Sequence, residues 1–308
     1  MNRSLGGGVK KILLLSVLLG HALLAQAGDV THVATNALDD EQAAWTFKTN
    51  TVPKLRSAIA LIYDESTHRP LYSKNSDTVA PIASITKLMT AMVVLDAQLP
   101  LDERISVDVE DMDRLKGTHS RLRVGSTFTR SELLKLALMA SENRAASALA
   151  RTYPGGKAAA IAAMNAKARE LGMDNTYFRD PTGLNSDNVS TARELVTMVA
   201  AAQNYALIRQ YTTTASHSVD GRRGRELRFN NTNPLVRNAS WDIDVSKTGF
   251  INEAGRCLVM AARINQRPVI IVLLDSWGKN TRVGDANRIR KWMENAKARA
   301  LKGAARVW

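Results

Sequence analysis

Residues 242–276 read DIDVSKTGFINEAGRCLVMAARINQRPVIIVLLDS, and their pattern decides the fold. "DIDVSKTGF" (242–250), "RCLVMAARI" (256–264) and "PVIIVLLDS" (268–276) are strand-length aliphatic runs, the last two joined by "NQR" as a tight hairpin. A similar run, "SAIALIYDE" (57–65), lies far upstream and turns through "STHRP" (66–70) into "LYSKN". Helical signals fill the space between. Ile85, Leu88, Met89, Met92, Val93 and Leu95 form an apolar face at helical spacing, predicting a helix that opens at Ser84. "TRSE" (129–132) is a capping box ahead of "LLKLALMA". Further helices are predicted from Lys157 to Leu171, stopped by Gly172, from Thr191 to Ala202, and from Asn287 to Ala298. The order predicts an α/β (α+β) chain with one antiparallel sheet faced by helices, its first and last strands far apart in sequence.

The N-terminus bears on the compartment. Arg3, Lys10 and Lys11 precede an apolar run from Ile12 to Leu24, and "AQA" ends at Ala27. That is the pattern of a cleaved secretory signal over residues 1–27; the run is too short for the ~20 residues of a membrane span. No cysteine follows it to carry a lipid. Residues 28–54 read as a polar extension, 55–298 as a single domain and 299–308 as a basic tail. Cys257, the one cysteine, allows no intrachain disulfide and reads as a buried strand residue. The formal charge of +13 drops to about +10 once the signal leaves. In an exported protein this favours an anionic wall polymer or a membrane surface over nucleic acid. The five histidines show neither HxH nor HExxH spacing, so neither a metal nor another cofactor is expected.

The first chemical hint is "APIASITKLMTAMVV" (80–94). Ser84 and Lys87, at i and i+3, project from one helix face, so the amine can reach the hydroxyl and act as its base. The helix start would also place backbone N–H groups beside a developing oxyanion. Taken alone, Ser84 reads equally as a helix cap. A chain with 20 Ser and 15 Lys holds about one Ser-x-x-Lys by chance, and Ser276-Trp-Gly-Lys279 is a second. Gly278 disfavours a helix there. Ser141 and Asn143, in "LMASENRAASALA", sit between helical segments where two small polar side chains can share a cleft. Ser-x-Asn recurs at Ser73-Asn75 and Ser186-Asn188. Lys247-Thr248-Gly249 is rarer, expected only about 0.07 times by chance. On a strand it offers a cation, a hydroxyl and a glycine that admits close backbone approach.

SITK, SEN and KTG, in that order, resemble the active-site set of penicillin-binding proteins and serine β-lactamases. The spacing, 57 residues from Ser84 to Ser141 and 106 from Ser141 to Lys247, resembles that family's and sets aside Ser186-Asn188, which reads as a loop before a helix capped at Ser190 or Thr191. From about Leu55 to Trp292 the chain resembles the low-molecular-mass D-alanyl-D-alanine peptidases. "MASENRAA" and "SKTGF" are similar to their endopeptidase branch, which cleaves D-Ala–diaminopimelate crosslinks of peptidoglycan; many carboxypeptidases of the family carry His after KTG. The resemblance implies a β-lactamase/DD-peptidase-like fold, its antiparallel sheet joined by an all-helical subregion. It implies Ser84 as acylated nucleophile, Lys87 as its base and Ser141 as proton relay to the leaving amine. Asn143 would hold Lys87 or the substrate amide, Lys247 would supply positive charge, and Thr248 would bind the donor's acyl or carboxylate end. The N–H groups of Ser84 and Phe250, beyond Gly249, would form the oxyanion hole. Arg282 reads either as the Arg that meets a substrate carboxylate or as a solvated residue at a helix start.

Implied partners are peptidoglycan stem peptides, their crosslinks and β-lactam inhibitors, in the periplasm. The clustered Arg222, Arg223, Arg225 and Arg228 read as a solvated loop or an attractor for acidic polymers. Ile289, Trp292, Met293 and Ala296 give the last helix an apolar side expected to pack on the sheet rather than on a membrane. Three other readings are a carboxypeptidase of the same fold, a β-lactamase, and a non-catalytic wall-binding protein. "TYFRDPTGLN" (176–185) lacks the glutamate in an ExxLN setting with which class A β-lactamases release the acyl group.

Overall fold

The computed structural model describes residues 52–221 and 226–304, with side chains through residue 297. The signal-peptide reading and most of the predicted extension lie outside the described residues.

The frame is a five-stranded antiparallel sheet. β1 (Ile59–Asp64) and β2 (Arg69–Lys74) come from the start of the described chain, and β9 (Asp242–Ile251), β10 (Gly255–Ile264) and β11 (Arg267–Ser276) from its last third. The order is β2-β1-β11-β10-β9, so the first and last strands, far apart in sequence as predicted, pair with each other. Runs such as VIIVLL do not alternate in polarity because both faces of the sheet are covered. Leu61, Val259, Ile270 and Val272 face a helical layer. Ile62, Leu258, Met260 and Ile271 face the terminal helix through its Ala286, Ile289 and Met293.

The helical layer is assembled from α1 (Lys87–Asp96), α2 (Arg130–Met139), α3 (Asn143–Arg151), α4 (Gly156–Glu170), α5 (Ala192–Gln203) and α6 (Ala206–Thr212). The capping box at Thr129 and Glu132 is formed. Thr191, and not Ser190, caps α5. Three ribbon pairs of two to five residues were not legible beforehand: β3 (Ala80–Pro81) with β6 (Val189–Ser190), β4 (Arg104–Ser106) with β5 (Thr127–Thr129), and β7 (Ser216–Asp220) with β8 (Glu226–Asn230), and the bridge Tyr177–Val189 extends the first.

Several boundaries shift for physical reasons. No α-helix opens at Ser84; residues Ala83–Thr86 form a 3₁₀ turn whose N-cap, Ile82, makes no side-chain cap bond. The hairpin between β10 and β11 turns on Asn265 and Gln266 alone, both at positive φ (54° and 73°), and Arg267 pairs with Ile264. Arg69 and Pro70 belong to β2, where an edge position tolerates the missing N–H. The last helix, α7 (Thr281–Ala304), starts earlier than predicted and runs into the expected tail. Arg228 lies on β8, while Arg222, Arg223 and Arg225 lie outside the described residues.

Asp285 of α7 fastens that helix to the start of β1. Fully buried, its carboxylate accepts the backbone N–H groups of Arg56 (3.0 Å) and Ser57 (2.7 Å) and the Ser57 hydroxyl (2.6 Å). Burial alone would raise its pKa, but these bonds, with Arg288, bring it below the usual carboxylate value. Asp285→Ala leaves these donors unpaired in the interior. It is expected to cost about 3 kcal/mol, read as a lower urea midpoint with unchanged m-value.

Candidate active site

The site lies where the 3₁₀ turn, the α2–α3 connector and the edge strand β9 meet. Two glycines permit the approach. A Cβ on Gly249 would stand 2.9 Å from Ile82 O and 3.1 Å from Ser84 N, and one on Gly183 would fall 1.9 Å from Ala83 O. The backbone around Ser84 is therefore gripped from both sides, by β9 and by the loop 180–185. Asp180 rigidifies that loop, accepting from Thr182 N, the Thr182 hydroxyl, Gly183 N and Asn185 N.

Lys87, in the first turn of α1, is buried. Its Nζ donates to Ser84 Oγ (2.8 Å), Asn143 Oδ1 (2.7 Å) and Thr182 O (2.6 Å). Three acceptors match the three protons of an ammonium. A neutral amine has two, which Asn143 Oδ1 and Thr182 O can retain, leaving its lone pair toward Ser84 Oγ, the one partner of the three that can also donate. Burial lowers the Lys87 pKa to about 7, against the opposing fields of Asp180 and Glu142. Thr182 was missed in the sequence, since a backbone carbonyl leaves no mark in residue type.

Ser141 occupies the position after the α2 C-cap Ala140 with φ 59°, a left-handed conformation usually given to glycine. There its Oγ accepts from Lys247 Nζ (2.9 Å), which also donates to Thr248 O (2.8 Å). Lys247 is buried, and burial followed by the positive Lys87 and Arg282 pushes its pKa well down. The Thr248 hydroxyl donates to Thr232 Oγ1 (2.6 Å). Phe250 is half exposed. Asn143 Nδ2 donates to Thr118 Oγ1 (3.0 Å), and Lys116 of the same loop pairs with Glu253 on the β9–β10 turn, tying that loop to both walls. A cleft of about 390 Å³ continues from Asn143 and Thr182 past Met112 and Leu115.

Ser84, Lys87, Ser141, Asn143, Lys247, Thr248 and Gly249 thus converge through direct contacts. Arg282 is not a solvated helix-start residue: it is buried, and its Nη1 has no hydrogen-bond partner. The decoys lie elsewhere. Ser276 Oγ meets Ser57 Oγ (2.7 Å), and Ser73 Oγ donates to Ser76 Oγ (2.9 Å). Asn188 is more than a loop residue. Fully buried, it accepts from Arg179 N and Asp180 N and donates to Asp180 O and Thr86 Oγ1, bracing the loop against the 3₁₀ turn. Cys257 is a buried strand residue with its thiol pKa pushed up to about 12. Among the described residues no three His, Cys, Asp or Glu side chains converge to hold a metal ion, and no described helix is long and apolar enough to cross a membrane.

Residues 46–278 match the family model described as D-alanyl-D-alanine carboxypeptidase. A D-alanyl-D-alanine endopeptidase of Pseudomonas aeruginosa is 51% identical over 256 residues, covering 83% of each chain. One of Escherichia coli is 50% identical over 254 residues, 82% of each chain. The crystal structure of the Streptomyces K15 DD-transpeptidase superposes with a TM-score of 0.73 at 31% identity, covering 80% of this chain and 99% of that one.

Two outcomes follow from this geometry. The rate of Ser84 acylation should rise with pH to a plateau, with an apparent pKa near 7, because the reactive form is the neutral Lys87 amine. Stopped-flow acylation from about two pH units below that value to about two above it reads this. Ser141→Gly removes the hydroxyl yet suits the left-handed backbone. It should melt at or above the parent temperature while turnover falls about a hundredfold or more.

Proposed function

This chain belongs to the D-alanyl-D-alanine carboxypeptidase family, and from that premise we propose that it is a serine D-alanyl-D-alanine endopeptidase. It hydrolyses D-Ala–diaminopimelate crosslinks of peptidoglycan in the periplasm, through residues 55–298 as one catalytic domain. The observation that carries this reading is the Lys87 amine held between Ser84 Oγ, Asn143 Oδ1 and Thr182 O.

Neutral Lys87 takes the Ser84 proton as Oγ attacks the D-Ala carbonyl carbon. The oxyanion is met by the backbone N–H groups of Ser84 and Phe250. As the tetrahedral species collapses, the C–N bond breaks and Ser141 gives its proton to the leaving amine and is reprotonated by the Lys87 ammonium, which becomes neutral again, while Lys247 stays charged against the Ser141 hydroxyl it touches. Water then attacks the acyl-enzyme, surrendering a proton to Lys87 and releasing Ser84. Thr248 and Arg282 receive the carboxylate that flanks the scissile bond.

Endopeptidase and carboxypeptidase break the same D-Ala carbonyl bond and differ in what the leaving amine carries. The preference for crosslinks rests on the two endopeptidase relatives at half identity over most of both chains. A β-lactam acylates the same serine. Its release is slow, because Asp180, the carboxylate of the loop where class A β-lactamases carry their base, already accepts four bonds from its own loop. The basic surface favours contact with anionic wall polymer or membrane.

Purified crosslinked muropeptides should yield monomers rather than free D-Ala. A fluorescent penicillin should label the protein stably, and Ser84→Ala should abolish both signals. Unlabelled parent protein would sink the proposal; rapid loss of label would favour a β-lactamase.

A further inference from the structure

Past the KTG segment the edge strand β9 ends at a second cleft, of about 330 Å³, lined among others by Phe250, Asn252, Arg256, Trp277 and Lys279. The Arg256 guanidinium lies over the Phe250 ring, 4.4 Å from its centroid, and Phe250 and Arg256 are direct cross-strand partners. Stacking fixes the guanidinium plane and leaves its N–H edge open. Among the described residues no carboxylate pairs with it. Glu253, on the adjoining turn, is engaged by Lys116. Asp275, at the end of β11, packs against Gly255 and pairs with neither Arg256 nor Lys279. Trp277 is 76% exposed and Phe250 50% exposed, large apolar areas to leave in water beside a reactive serine. Arg256 is also close enough to Arg282 to add to the depression that burial imposes on that guanidinium. The rim is thus aromatic, cationic and unpaired.

Its position says what it faces. Thr248 and Arg282 receive the carboxylate beside the leaving amine, and Arg256 stands next to Arg282 beside the end of β9, so the cleft continues outward from the leaving residue. Resting on the endopeptidase reading above, we propose that this cleft binds a further carboxylate-bearing residue of the leaving stem peptide, beyond the carboxylate beside the scissile bond. Arg256, held flat by Phe250, takes the carboxylate as a bidentate pair. Lys279 adds a second positive charge, and Trp277 covers the aliphatic part of the same residue. Arg256 and Trp277 are then specificity-determining residues, remote from the bond that breaks.

The test compares crosslinked muropeptide dimers whose leaving stem carries that further carboxylate free with the same dimers bearing a carboxamide there, the carboxylate beside the scissile bond being free in both. The parent enzyme should cleave the free form with kcat/KM about tenfold higher, the scale of one charge-assisted pair. Arg256→Gln should erase that preference by raising KM for the free dimer, with kcat nearly held. Arg256→Lys should restore part of it, since charge returns without the planar fork. Trp277→Ala should raise KM for both dimers. Equal cleavage of the two dimers by the parent enzyme, or an Arg256→Gln loss that is equal on both and falls on kcat, would overturn the subsite and leave the endopeptidase reading standing. If neither dimer is cleaved, that reading falls, and the subsite with it.

Discussion

Everything in the cleft depends on how closely two glycines press on one short stretch of backbone. Gly249 on β9 and Gly183 in the loop 180–185 approach Ile82–Ser84 so nearly that a Cβ at either would enter the space of a backbone atom. The sheet, the loop and the 3₁₀ turn are thereby locked in register. Gly249 brings Lys247 and Thr248 with it, and Gly183 carries the neighbouring Thr182 carbonyl to Lys87. Asp180 and Asn188 stiffen the loop by accepting bonds from its N–H groups, which fixes the backbone that carries the Thr182 carbonyl. The tight packing is local, but it fixes the relative positions of groups from four distant parts of the chain.

Within that frame, strain and burial are concentrated on the groups that line the candidate site. Ala83 and Ser141 both adopt positive φ without being glycine, at 47° and 59°. Such residues are stable only where surrounding packing outweighs an energy of order 1–3 kcal/mol each. Two lysines, Lys87 and Lys247, are buried in the same cleft. Burial disfavours the charged form of each, which turns an ordinary amine into a usable base near neutral pH. The same arrangement would weaken a protein that did not use it. Its support comes from the sheet, whose two covered faces and long strands hold the cleft walls in place.

The parts legible in the sequence are those where pattern has a single physical cause. The runs in β10 and β11 could only be buried strands, and the rarity of Lys247-Thr248-Gly249 tied one edge of the sheet to chemistry. Ser84 was different. Its motif was no commoner than chance, and the cap reading failed only because the turn is 3₁₀, with Ile82 at its N-cap. The left-handed Ser141 could not be foreseen, because residue type there argues for glycine. Thr182 and Asn188 act through backbone groups or through burial created by the fold, so local sequence carried no signal of either. Arg282 was legible as two alternatives, and burial of its guanidinium removes the solvated one. The short ribbons β3–β6, β4–β5 and β7–β8 were invisible, since two to five residues are too few to display a period.

The two buried lysines sit in opposite fields, and this gives the cleft a direction. Carboxylates of Asp180 and Glu142 face Lys87 and partly restore its affinity for a proton. Lys247 has the reverse surroundings: after burial, what acts on it is the positive charge of Lys87 and Arg282. An anion arriving beside Lys247 and Arg282 removes that disadvantage and favours the ammonium form of Lys247. A peptide carboxylate next to the scissile bond supplies such an anion. In the proposed mechanism, binding of the substrate therefore charges the lysine that stands against Ser141, while Lys87, against Ser84, stays able to lose its proton. The proposed mechanism thus separates acid and base functions across one carbonyl through the placement of these charges, and the substrate completes the set.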